Sequence, residues 1–225
     1  MSLLPAHQIR TTNRAFATWR LALRQQTPTL KRCLDILIAC LMLIALMPLL
    51  ALVAIAIKMD SPAPVFFRQI RIGRGGRPFF LWKFRSMVSD AEKRRAPLET
   101  AEALSGGIRF KIERDPRVTR IGAWIRKLSI DELPQLLNVL KGEMSLVGPR
   151  PPIPSEVEAY DLAARRRLDC VPGLTCIWQV SGRSLIPFEQ QVLMDIDYRN
   201  RQSLALDLKL LAQTVPAVLL SRGAC

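Results

Sequence analysis

Between Arg126 and Pro152 the chain reads RKLSIDELPQLLNVLKGEMSLVGPRPP, with two adjacent carboxylates, Asp131 and Glu132, placed shortly after Arg126-Lys127. A carboxylate kept ionised among cations can attack phosphorus, and a second one beside it can hold a divalent cation together with phosphate oxygens. The cations are at hand on both sides. Gly148-Pro149-Arg150-Pro151 presents Arg150 between prolines, which lowers the entropy lost when a guanidinium grips a phosphate bidentately. These acids also have a plainer reading. Ser129-Ile130-Asp131-Glu132 matches the S-x-x-E capping box, and acids in a first helical turn complement the macrodipole. Asp131 could then be the N-cap itself, with Pro134 in the tolerant first turn and Gly142 closing the helix after Lys141. A helix start also attracts anions, so the two readings coexist.

Other candidates are weaker alone. Lys83 and Arg85 alternate around Phe84, which puts both on one face of an extended segment, suited to phosphate or to lipid headgroups. Arg183 follows Gly182, which permits close backbone approach. Asp195 and Asp197, beside Tyr198, could orient a sugar or an arginine, or form an exposed helix face. Gly73 to Gly76 makes no Walker loop, so no nucleoside-triphosphate site follows.

The elements holding these residues must fit in 225 residues, enough for one compact domain plus a membrane element. Lys and Arg number 33 against 19 Asp and Glu, a net charge of +14 that calls for an anionic partner. No helix-turn-helix, zinc-finger or aromatic-interleaved basic pattern is present, so phosphorylated substrate and acidic lipid are favoured over nucleic acid. The five cysteines form no C-x-x-C pair and read as reduced thiols. His7 is the only histidine, which argues against histidine acid–base chemistry.

Ile36 to Ile57 carries no charge and has about the ~20 residues that a membrane helix needs. Pro48 near its middle removes a backbone donor and bends the helix. Arginines and lysines flank it on both sides, Lys31 and Arg32 before, Lys58 and Arg68 after. Both flanks thus suit the cytoplasmic side, which a helix that dips in and returns would satisfy. A Pro-kinked spanning helix is the alternative. Beyond it, PVFFRQIRIG and PFFLWKFRSM predict a β-hairpin that would also suit the lipid interface. Helices are expected over Ser89–Ser105, Val118–Lys127, Ser155–Leu168, Phe188–Tyr198 and Ser203–Leu220, the last with Asp207 and Lys209 on its polar side.

Jointly, these segments resemble the bacterial sugar transferase family, the small monotopic phosphoglycosyl transferases. The similarity runs from Lys31 to the C-terminus through KR-x-x-D, the proline-broken apolar helix, DSPAPVFFRQIRIGRGGRPF, KFRSM, DPRVTRIGAWIRKLSIDELPQLLNVLKGEMSLVGPRPP, PGLTCIWQVSGR and DIDY. It implies an α+β, predominantly helical protein: a re-entrant membrane helix over 31–59 broken at Pro48, and a membrane-associated catalytic domain over 60–225 on the cytoplasmic face of the inner membrane. The polar, Arg-rich residues 1–30 before it read as a loose basic arm or an amphipathic surface segment. The implied reaction moves a sugar 1-phosphate from a UDP-sugar to undecaprenyl phosphate, with Mg2+, releasing UMP and starting an exopolysaccharide, capsule or O-antigen unit. Asp131 would be the nucleophile of a covalent phosphosugar-aspartyl intermediate and Glu132 would assist through the metal. Arg126, Arg150, Lys83, Arg85, Arg183 and Asp197 would bind substrate. A homo-oligomer and downstream glycosyltransferases are further expected partners. Met47-Pro48 departs from the family's Ser-Pro break, and Cys176 stands where glycine is common.

Overall fold

A computed structural model describes residues 29–91 and 115–219. The arm before Thr29 and most of the helix expected over Ser89–Ser105 lie outside them. Helix α1, Thr29–Asp60, runs through Pro48 without ending there. Its inward stripe is helically spaced: Asp35 and Ala39, then half-buried Met42, Leu46 and Leu50, then Val53 and Ile57. The opposite stripe, Leu37, Leu41, Ile44, Met47, Leu52, Ile55 and Met59, is exposed. Both ends are docked on the same protein body. At the start, Lys31 donates to Val147 O and Asp207, the Asp35 carboxylate accepts from Leu146 N, and Arg32 donates to Val139 O and Leu140 O. At the finish, Val53 and Ile57 pack with Phe84, Ile125 and Ile130. The KR-x-x-D signature is therefore a clamp.

The predicted hairpin forms from β1, Phe66–Ile72, and β2, Pro78–Phe84, paired antiparallel with Phe66 opposite Phe84 and Arg71 opposite Phe79. Arg71, Leu81 and Lys83 alternate onto one face, and Phe66, Arg68, Ile70, Phe80 and Trp82 onto the other. The open edge of β2 is closed by Asn138, whose Oδ1 accepts from Trp82 N while its Nδ2 donates to Phe80 O. Helix α2, Arg120–Lys127, is N-capped by Thr119, and α3, Leu136–Lys141, ends at Gly142 in the left-handed region as expected. Strands β3, Ser145–Val147, and β4, Gly173–Thr175, pair in parallel. A Cβ on Gly173 would fall 2.0 Å from Gly148 N, so glycine there lets the two backbones touch.

The charged helix expected over Ser155–Leu168 is instead α4, Pro154–Glu158, then α5, Leu162–Arg165, and a 3-10 turn, Arg166–Asp169. The reason is Asp161, whose carboxylate accepts from Ala164 N and starts a new helix. After α6, Ile177–Ser181, helices α7, Phe188–Arg201, and α8, Leu204–Leu219, follow the expected ranges closely. The polar face assigned to α8 needs correction. Asp207 is buried, because Lys31 and Tyr198 satisfy it inside the protein. Among the described residues the cysteines are unpaired thiols. The main core joins Ala39, Leu81, Leu136, Val139, Leu146 and Tyr198, so it fuses α1, hairpin and α3 into one unit.

Candidate active site

Asp131 and Glu132 do not cap an α-helix. Ser129 sits in the left-handed region (φ 55) and makes no side-chain cap, whereas a capping box needs an extended N-cap residue. A 3-10 turn, Ile130–Gln135, carries the two acids, and the α-helix begins only at Leu136. A non-glycine residue held at positive φ is strained, and the strain stands directly before the candidate nucleophile. It turns Asp131 inward, 7% exposed, toward the hairpin face that bears Lys83. Lys83 Nζ donates to Glu132 Oε1 at 2.7 Å and lies 3.7 Å from Asp131 Oδ2.

One lysine therefore faces two carboxylates, and their titration separates. Burial pushes Asp131 up to about 6, with Glu132 adding to the rise and Lys83 and Arg126 opposing it. The cationic field was expected to dominate here; loss of water wins instead, yet Asp131 remains mostly ionised at neutral pH. Burial would also raise Glu132, but Lys83, Arg150 and Arg71 outweigh it and hold Glu132 below the usual range. The result is a Glu132 held toward its ionised form beside an Asp131 of heightened basicity.

A cleft opens on Glu132, lined also by Arg71, Lys83, Gln135, Arg150 and Gln179, with Leu81 and Leu174 as apolar wall. Asp131 adjoins it through Lys83, 3.7 Å away. The Arg150 turn is fixed from both sides. Arg71 Nη1 donates to Pro151 O, Ile72 N to Pro152 O, Gly148 N to Thr175 O and Gly173 N to Pro149 O. Arg71, Gln135 and Gln179 escaped the sequence reading. Alternation along RQIRI, which places Arg71 on the Lys83 face, was the signal for the first; nothing local marks the glutamines.

The structure brings together Asp131, Glu132, Lys83 and Arg150, with Arg126 close enough in the last turn of α2 to act on Asp131. It does not bring in the others. Arg85 Nη2 donates to Ile57 O and Ser61 O, tying off the end of α1. Asp197 forms a surface pair with Arg201 on α7. Its neighbour Asp195 is fully buried against Arg167, so the arginine-orienting role falls to Asp195. Arg183 lies half-buried in the turn after α6 at φ 54.

A magnesium ion held by one or two carboxylates and completed by substrate phosphates and water would ask no more of the protein than this acid pair. No group of three or more acidic, histidine or cysteine side chains converges among the described residues, so the protein alone offers no cage. A strained turn, a split acid pair and a cleft walled by Arg71 and Arg150 have the chemistry to receive a phosphate. The sequence model for the bacterial sugar transferase matches residues 26–221. The chain belongs to the bacterial sugar transferase family. It is 44% identical over 199 residues to exopolysaccharide production protein ExoY of Sinorhizobium fredii, covering 86% of this chain and 87% of that protein. It is 49% identical over 162 residues to galactosyl transferase CpsE of Streptococcus agalactiae, covering 72% of this chain but 36% of that longer protein. An undecaprenyl-phosphate glucose phosphotransferase of Komagataeibacter xylinus is 43% identical over 209 residues, 86% of this chain and 36% of its own length. As a member of this family the protein is a sugar-phosphate transferase.

Proposed function

We propose that this transferase moves a sugar 1-phosphate from a UDP-sugar to undecaprenyl phosphate at the cytoplasmic face of the inner membrane, starting an exopolysaccharide, capsule or O-antigen unit. The observation that carries it is Asp131, buried and raised to about 6, within reach of Lys83 and beside a cleft walled by Arg71 and Arg150. An Asp131 oxygen attacks the phosphorus that bears the sugar. The bond from that phosphorus to the UMP oxygen breaks, and UMP leaves with the electron pair. Undecaprenyl phosphate then attacks the same phosphorus, forming the lipid diphosphosugar and returning Asp131 as a carboxylate. Lys83, Arg150 and Arg71 hold phosphate charge where it develops. Glu132 would hold Mg2+, which when bound neutralises charge on the phosphates.

Re-entry of α1 is part of the same reading. It is supported by the docking of Lys31, Asp35, Val53 and Ile57 on one body, since a helix that crosses the bilayer cannot keep both ends on one side. Seating the cleft at headgroup depth brings the lipid phosphate to Asp131. Cysteines placed before Lys31 and after Asp60 should be labelled from the same face; labelling from opposite faces would sink re-entry.

The covalent route is tested with UDP-sugar labelled in the β-phosphate and no acceptor. Label should stay on the protein, be absent in Asp131→Asn, and be discharged by undecaprenyl phosphate. Turnover without any labelled protein would favour direct displacement. UMP release across a panel of UDP-sugars identifies the donor.

A further inference from the structure

We propose that the outer face of the β1–β2 hairpin is a second membrane-contact surface, seated at the headgroup boundary of an anionic bilayer and fixing the height of the cleft. It rests on α1 lying in the membrane. On that face Phe66, Ile70 and Phe80 are 45%, 47% and 56% exposed, an apolar surface that no other part of the described protein covers. Trp82 lies among them with two cations over its ring: Arg68 Cζ at 5.3 Å and Lys141 Nζ at 5.4 Å from its centroid. Aromatic rings interleaved with snorkelling cations are the composition of a membrane–water boundary, and the cations select anionic headgroups.

Position supports the lipid occupant over a protein one. The face is continuous at one end with the second half of α1, because Phe66 stacks on Phe84 (5.3 Å between centroids) and Phe84 packs on Val53 and Ile57. At its flank it meets α3, whose Lys141 covers Trp82 and whose terminal carbonyls are held by Arg32 from the start of α1. The aromatic face is thus bracketed by the two ends of the membrane helix. Those ends stand at headgroup depth if α1 is in the bilayer, and the face between them stands there too. The opposite hairpin face carries Lys83 and Arg71 into the cleft. A hairpin resting on lipid would therefore hold the cleft a strand's thickness from the headgroups.

The test uses the full chain in vesicles of phosphatidylglycerol and phosphatidylcholine, with Trp19→Phe and Trp124→Phe, so that Trp82 is read against buried Trp178 by comparison with added Trp82→Phe. Lipids brominated near the headgroup end of the acyl chain should quench Trp82 emission roughly twofold, more strongly than chains brominated near the methyl end. Quenching should weaken when phosphatidylglycerol is omitted. A companion Met47→Trp protein reports on α1. Trp82 untouched by lipid bromine but open to aqueous acrylamide, with Trp at 47 quenched, would overturn the proposal and leave the membrane helix standing. Trp82 shielded from both quenchers would overturn it in favour of a second copy on this face. Loss of lipid quenching at position 47 would remove the membrane reading on which the proposal rests.

Discussion

Two lysine–carboxylate groupings hold this molecule together and do opposite things. Lys31 meets Asp207 at 2.6 Å, and its second bond goes to Val147 O. The Tyr198 hydroxyl lies 2.7 Å from the other Asp207 oxygen, and burial first, then Asp207, raises its pKa far enough that it is always a donor. That grouping is one cation, one anion and a neutral donor, all buried. At Lys83 one cation faces two anions, and the farther, Asp131, is 3.7 Å away. Counting direct contacts, this grouping is short of one positive charge. Arg126 acting on Asp131, and Arg150 and Arg71 acting on Glu132, offset part of it from farther away, and a divalent cation arriving with the phosphate substrate would supply the rest. Closed hydrogen bonding makes a lock; an unbalanced buried charge makes a reactive site.

Asp131→Asn should break the comparison most sharply. Transfer is expected to fall on the order of 10^4-fold or more, as for removal of a covalent nucleophile, with vesicle binding intact. UMP release with purified protein measures it, and near-normal turnover would refute the nucleophile assignment. Asp207→Ala should do the reverse. Leaving Lys31 buried and unpaired is expected to cost about 3–5 kcal/mol of stability, seen in denaturant unfolding, while the folded fraction keeps its activity. A smaller effect comes from exchanging the lysines' roles as targets. Lys83→Met should lower transfer by about 10^2–10^3-fold per folded molecule and also cost stability, because it leaves Asp131 and Glu132 without their lysine, whereas Lys31→Met should destabilise with little loss of transfer per folded molecule. Similar outcomes for both lysines would erase the distinction between lock and site.

The difference between these groupings also explains what the sequence displayed. The Lys83 site was half legible, because Asp131, Glu132 and Arg150 fall within one short stretch and Lys83 follows from strand alternation. Its conformation was not: a capping box was expected where Ser129 takes a left-handed turn, since strain of this kind is imposed by tertiary packing. The lock was illegible. Lys31 stands 176 residues before Asp207, and Asp207 in an amphipathic helix looks like any exposed acid. Hairpin, apolar helix, Gly142 stop and the last two helices announced themselves through periodicity and turn chemistry. The split of Ser155–Leu168 was written in Asp161, a good N-cap mistaken for one more surface charge.

The most delicate contrast is in how acid acts on the fold when no metal or substrate is bound. Asp131 has a folded pKa of about 6, above the 3.8 of an unperturbed aspartate. The folded state therefore binds this proton more tightly than the unfolded chain does. Its contribution favours folding below about pH 4 and is lost as pH rises through 6, so at pH 7 the ionised carboxylate costs stability. Converted at about 1.4 kcal/mol per pH unit, the cost is about 2–3 kcal/mol at most. Asp131→Asn removes the charge and keeps the shape. The variant should be more stable than the parent at pH 7, by up to a few degrees in Tm, with the gap narrowing toward pH 4. Calorimetry in chelator across that range measures it. A variant less stable than the parent at neutral pH would mean that Lys83 and Arg126 more than offset the burial of Asp131, and the site would then be a second lock.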